Sequence, residues 1–191
     1  MGDPLSPAMT IGTCAWMESD WMEGLDQRDK EYFTARRYMD DILMCYAESE
    51  KWDHEKFVED FISSTCYHPP LELEDGAEGT YLETTFRWEG TRFAYKLKNE
   101  NEAGKEPKIW RYKDFRSHAP FAQKRALITM LMKKVHGMAS DRAMLTESAI
   151  QKISEFKRLN YPRGLLRGVC NYMYATTREG GWMDARDKLL G

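Results

Sequence analysis

The chain of 191 residues (22.4 kDa) carries 28 Lys and Arg against 31 Asp and Glu, a formal net charge of −3 with a pI near 5.9. Its 42% apolar and 13% aromatic content supplies a core and excludes wholesale disorder, collagen-like repeats and a mucin-like stalk. The longest apolar stretch, Ala126 to Met132, is seven residues with a threonine inside it, far short of the roughly 20 that cross a bilayer. The N-terminal Met-Gly-Asp-Pro-Leu-Ser-Pro has neither a basic region nor an apolar signal core, so an intracellular protein without a membrane partner is expected.

In chain order, Ser6-Pro7 opens a helix, with Ser6 placed to cap it and Pro7 in the first turn, where a missing N–H costs nothing. Ala8, Ile11, Ala15, Met22 and Leu25 continue at helical spacing, and Gly12 within that helix predicts close packing against it. Tyr32 to Tyr38 and Ile42 to Ala47 read as two strands, the second apolar enough for burial on both faces, with Met39-Asp40-Asp41 as the turn. Asp53 caps a helix carrying Phe57, Val58, Phe61 and Ile62, which ends before His68-Pro69-Pro70. Leu71 to Glu74, Thr80 to Trp88 and Thr91 to Leu97 are strand candidates, the last two joined at Glu89-Gly90. Asn99 to Pro107 is the most linker-like stretch. Beyond it, Ile128, Leu131, Val135 and Met138 share a helix face opposite Lys124, Lys133 and Lys134. Ile150, Ile153, Phe156 and Leu159 mark a second helix, Asn160-Tyr161-Pro162 breaks it, and Leu165, Leu166, Val169, Tyr172 and Met173 mark a third.

Cys14, Cys45, Cys66 and Cys170 are spaced 31, 21 and 104 residues apart, which fits neither a small disulfide scaffold nor paired zinc knuckles, so free thiols are expected. Cys66-Tyr67-His68 offers two metal ligands, but no second pair follows at zinc-finger spacing. Charge is segregated: residues 1 to 104 hold 10 basic and 23 acidic side chains, net −13, and residues 105 to 191 hold 18 and 8, net +10. A basic region on an acidic protein is either a surface for a polyanion or a set of solvated helix faces.

Two adjacent carboxylates at a hairpin tip repel, so something should neutralise them. Mg²⁺ takes oxygen ligands, commonly one or two carboxylates with substrate phosphates, and pairs of such ions drive nucleotidyl transfer. The plain alternative is a solvated turn in which Asp is a turn-former. Tyr38-Met39-Asp40-Asp41 follows Gly2-Asp3-Pro4-Leu5-Ser6-Pro7 by 34 residues, and the two signatures in this order resemble the palm of a reverse transcriptase. A given tetrapeptide arises by chance in a chain of this length on the order of once in a few thousand.

The resemblance implies an α+β fold: a partial polymerase palm over residues 1–104, a small antiparallel sheet with helices on one face, then a helical, basic, thumb-like region over 105–191. It implies RNA-directed DNA polymerase activity in the complete enzyme, with Asp40 and Asp41 as catalytic and metal-holding residues for Mg²⁺ or Mn²⁺. Gly2, Pro4, Ser6, Tyr38 and Met39 would meet nucleotide and template, and Lys124, Arg125, Lys133 and Lys134 the primer backbone. Partners would be an RNA template, a DNA primer and deoxynucleoside triphosphates. Tyr81-Leu82-Glu83-Thr84 falls where the family carries the strand leading into its primer-gripping hairpin. Ser117-His118-Ala119-Pro120, Lys124-Arg125 and Asn160-Tyr161-Pro162 are similar to the stretch downstream of the palm in Penelope-like and related retroelement polymerases.

The sequence departs from the family where fingers and an earlier palm strand with another metal-binding aspartate would precede the Gly-x-Pro turn. Here Met1 stands in place of the customary Gln, and Asp3, Asp20 and Asp26 are poorly placed to substitute for that aspartate. The expectation is therefore a C-terminal fragment inactive by itself, completed by an upstream segment or a partner chain, and prone to self-association through uncovered apolar surface. Alternatives are a non-catalytic nucleic-acid-binding remnant, a viral RNA-copying polymerase, whose usual Gly-Asp-Asp disagrees with Tyr38-Met39, and a structural module with accidental motif matches.

Overall fold

The computed structural model describes residues 6–39, 41–47, 49–61, 66–67, 79–99, 101 and 111–191. These form a mixed α+β protein, with seven helices and two small antiparallel sheets among the described residues. The chain divides into two compact units, Met1–Gly76 and Ala77–Gly191. The sequence reading places its division between 104 and 105, but the second sheet belongs with the helices.

In the first unit, α1 (Ser6–Gly24) begins at the expected residue and is followed by a short second helix, α2 (Gln27–Tyr32). Asp26 separates them because its carboxylate accepts the Asp29 N–H at 2.8 Å, giving α2 its own N-cap. A Cβ built on Gly12 would meet nothing within 4 Å, so the expected close packing there is not seen among the described residues. Strands β1 (Phe33–Tyr38) and β2 (Asp41–Tyr46) pair antiparallel from Phe33↔Tyr46 to Tyr38↔Asp41, leaving a two-residue turn, with Asp41 in the ladder. Among the described residues one face of this hairpin packs against α1 and α3 (His54–Asp60), and no residue of β2 is buried, so the expected burial on both faces is not seen. Trp21 of α1 sets that packing, with ring centroids 5.4 Å from Phe57 and 5.1 Å from Phe61. Asp53 caps α3 as expected, accepting the Lys56 N–H at 3.1 Å.

The second unit opens with a meander, β3 (Thr80–Tyr81), β4 (Thr84–Glu89) and β5 (Arg92–Leu97). The single strand expected over Thr80 to Trp88 is interrupted because Leu82 adopts φ 52°, turning the chain back so that Tyr81 pairs with Thr84. Gly79 at φ 69° is needed there, since a Cβ would lie 2.9 Å from the Phe86 carbonyl. The strand expected at Leu71 to Glu74 lies outside the described residues, as does most of the Asn99 to Pro107 linker.

Helices α4 (Phe121–Gly137), α5 (Arg142–Arg158), α6 (Arg163–Thr177) and α7 (Gly181–Leu190) enclose the larger core. Ala149, Ile153 and Phe156 repeat at helical spacing on α5, and Phe156 meets Tyr112 face to face at 5.4 Å and Tyr161 edge-on at 4.9 Å. Trp182 of α7, a helix absent from the sequence reading, is fully buried in the same cluster. β5 docks on the helices through Tyr95, whose N–H donates to Ser140 Oγ (3.1 Å) and whose carbonyl accepts the Ser140 N–H (2.9 Å).

All four cysteines are free thiols. Burial pushes the Cys66 and Cys170 thiols up to about 11, whereas Cys45 is exposed. At pH 8 the two buried groups are therefore roughly a thousandth ionised. Native-state iodoacetamide labelling followed by peptide mapping is expected to mark Cys45 first, and Cys66 and Cys170 only on unfolding. Phe156→Ala is expected to cost about 3–5 kcal/mol in urea unfolding of the second unit.

Candidate functional site

The β1–β2 tip carries the sequence-predicted aspartate turn. Along β1, Phe33, Ala35 and Arg37 fall on the covered face and Thr34, Arg36 and Tyr38 on the exposed one. Arg37 thus brings a guanidinium to a position that the alternation reserves for apolar side chains. Its side chain is 13% exposed, and the Glu18 side chain that meets it from α1 is 22% exposed. Arg37 Nε donates to Glu18 Oε1 at 2.6 Å, Arg37 Nη2 donates to the Tyr67 hydroxyl at 2.5 Å, and that hydroxyl donates to Glu18 Oε1 at 2.5 Å. Tyr67 is fully buried beside Cys14, Phe61 and Cys66.

The three groups neutralise one another. Burial works to lower the Arg37 pKa, but the hydrogen bonds and charge interactions with Glu18 and Tyr67 together outweigh it and raise the pKa. Burial first, then the hydrogen bond to Glu18, pushes the Tyr67 phenol far above its ordinary value, so it stays protonated and donating. Arg37 also reaches the turn: Nη1 donates to the Met39 carbonyl at 2.8 Å. Met39 holds φ 56°, a left-handed conformation costing a non-glycine residue about 1–2 kcal/mol. A strained turn held by a buried ion pair is the arrangement that functional sites tend to show.

Tyr38 and Met39 are exposed at the tip, and so is Asp41, whose carboxylate has no hydrogen-bond or ion-pair partner among the described residues. Asp40, Gly2 and Pro4 lie outside the described residues, and of Ser6 only its place as the first residue of α1 is described. Glu18 lies 12 residues further along α1. That is about 18 Å along the axis, so the ion pair joins the hairpin tip to the middle of the helix rather than to its first turn. A hollow of about 320 Å³ behind the hairpin reaches Arg37 and Ile42, the residues flanking the tip, but Asp41 does not line it. Among the described residues, no three His, Cys, Asp or Glu side chains converge as a metal site. The donor chemistry at the tip suits Mg²⁺ or Mn²⁺: Asp41 presents a hard oxygen ligand with no competing cation on it among the described residues.

The four basic candidates part company. Lys124 is a correction: its ammonium is buried, donating to the Phe115 and Ser117 carbonyls at 2.6 Å each and lying 5.0 Å from the Phe115 ring centroid. It holds the segment before α4 and is not available to a phosphate. Lys134 is ion-paired with Glu83, within the turn between β3 and β4. Arg125 and Lys133 are exposed, and their side chains have no polar partner among the described residues. The hairpin that the resemblance assigns to the primer places Phe86 opposite Tyr95 and Trp88 opposite Phe93, an aromatic row of which Trp88 is the most exposed member. Glu18, Arg37 and Tyr67 escape sequence reasoning. The available signal was an arginine at an inward position of an alternating strand.

No family model, no curated protein and no solved structure matches the chain.

Arg37→Ala is expected to destabilise the first unit by about 2–4 kcal/mol, because Glu18 is then left largely buried without its cation. Tyr67→Phe is expected to cost about 1 kcal/mol, the value of one hydrogen bond. Thermal unfolding followed by near-ultraviolet circular dichroism measures both.

Proposed function

We propose that the chain carries the divalent-cation turn of an RNA-directed DNA polymerase, a reverse transcriptase of the retroelement type, within a partial palm followed by a helical thumb. The observation that carries this reading is the Tyr38-Met39-Asp40-Asp41 tip: a two-residue turn strained at Met39, fastened through Arg37 to Glu18, presenting an Asp41 carboxylate without a hydrogen-bond or ion-pair partner among the described residues. A bare Asp-Asp turn needs neither the strain nor the clamp. A turn that must hold two carboxylates in one orientation toward a cation gains from both, since preorganised charge is what such sites contribute.

In this reading Asp40 and Asp41 hold Mg²⁺, which when bound supplies charge stabilisation to nucleotidyl transfer at a primer end. Arg37 and Glu18 fix where the tip stands, while Tyr38 and Met39 flank the primer terminus and incoming nucleotide. Because no further described carboxylate converges with Asp41, the 191 residues alone are expected to bind the cation without polymerising.

Two measurements test this. Mn²⁺ added to the isotopically labelled chain is expected to broaden the amide signals of Tyr38, Met39 and Ile42 selectively, and Asp40→Asn with Asp41→Asn is expected to abolish the selectivity. Equal broadening in the double variant sinks the cation turn. Primer extension on an RNA template with Mg²⁺ is expected to give no product from these residues; product lost in Asp40→Asn would show that they suffice. Salt-dependent template–primer binding with no Mn²⁺ effect at the tip would move the assignment to a non-catalytic nucleic-acid-binding remnant.

A further inference from the structure

A broad concavity lies in the second unit. Helices α4 and α6 flank a groove of about 860 Å³ whose lining includes Phe121, Arg125, Met130, Lys133, Gly168 and Tyr172. Phe121, Met130 and Tyr172 are 57%, 59% and 45% exposed, an apolar surface in one strip rather than scattered single residues. The glycines of α6 at this groove, Gly164 and Gly168, sit four residues apart, and a Cβ on either would meet nothing within 4 Å. Bare backbone there lets another helix approach closely. All the charge in the lining is positive, Arg125 and Lys133, eight residues and about 12 Å apart along α4. Two cations in a mostly apolar trough suit the face of an amphipathic helix with acidic residues better than a polynucleotide, which would ask for a continuous basic track.

The chain itself carries such a helix. Along α1, Met9, Trp16, Asp20 and Glu23 are exposed, and their spacings of seven, four and three residues put them in one stripe. The helix contains no Lys, Arg or His. Its stripe therefore offers large apolar anchors toward one end and carboxylates toward the other, complementary to a trough of apolar side chains edged by Arg125 and Lys133.

We propose that the groove between α4 and α6 docks helix α1 of a second copy of this chain. The contact is heterologous, the donor surface differing from the acceptor surface, so each copy keeps one of each and association continues with concentration unless a ring closes. The inference uses neither the aspartate turn nor any metal ion, and its readout is mass, so it can fail or stand independently of the polymerase reading.

Sedimentation velocity from low to high micromolar concentration tests it. The weight-average mass is expected to rise with concentration. Lys133→Glu and Asp20→Lys are each expected to weaken association about tenfold, roughly 1.4 kcal/mol, and the two together to restore it. Trp16→Ala is expected to weaken it with no charge change. All three positions are exposed, and circular dichroism of each variant checks that it is folded. The proposal is overturned by a chain that stays monomeric throughout, by association indifferent to these variants, or by charge-swap coupling seen only in thermal stability at constant mass, which would place the helix–groove contact within one chain. An RNA–DNA duplex that binds a strictly monomeric chain and loses affinity on Lys133→Glu would likewise overturn it, assigning the groove to nucleic acid.

Discussion

A single oxygen, Oε1 of Glu18, accepts from both Arg37 Nε and the Tyr67 hydroxyl, and the hairpin tip depends on that sharing. A guanidinium on the covered face of a strand is costly when unpaired, because its hydration is lost and nothing replaces it. Here a carboxylate, a phenol and a backbone carbonyl replace it, and the carbonyl belongs to Met39 in its left-handed turn. The strain at Met39 and the burial of Arg37 thus offset each other's liabilities. The turn is held in an unfavourable conformation by a cation that itself needs the turn's carbonyl as one of its acceptors. The position of the turn and the local stability of the first unit are consequences of the same three side chains.

Local signals were legible where the chemistry is local. The β1–β2 hairpin follows from strand-forming runs around an acidic turn, the α3 cap from Asp53, and α4 to α6 from repeating apolar positions. What could not be read is what depends on distant partners. Glu18 and Tyr67 are 49 residues apart, and nothing nearby in sequence announces their bond. The left-handed Leu82 splits a strand that composition alone makes continuous, since leucine carries no turn signal. The apolar run of β2 overstates its burial, since its residues are half-buried or exposed and none is buried. Two misses had a readable cause. Lys124 precedes Ile128 by four residues on the same stripe of α4, so helical periodicity already places it inward. In α7, Trp182, Ala185 and Leu189 repeat at helical spacing after Gly180-Gly181.

The basic second half has a different meaning once its partners are known. Lys152 is paired with Glu155, Arg116 with Asp114, Arg186 with Asp187 and Arg142, through two donors, with Asp184. Burial of the Lys152 and Glu155 pair makes it a determinant of how α5 seats rather than a surface for phosphate. Net charge read from composition counts these cations equally with those facing solvent, which is why a net of +10 does not by itself describe a phosphate track. Arg125 and Lys133 stand apart because apolar side chains, not carboxylates, surround them.

The central claim is that Arg37 holds the Tyr38-Met39-Asp40-Asp41 tip so that its carboxylates share a divalent cation. A crystal structure of the chain grown with MnCl₂, with anomalous scattering recorded at the manganese edge, tests it most directly. The account predicts a peak about 2 Å from carboxylate oxygens of Asp40 and Asp41, with the Arg37–Met39 hydrogen bond intact beneath it. A well-ordered tip carrying no manganese, its two carboxylates turned apart into solvent, would contradict it.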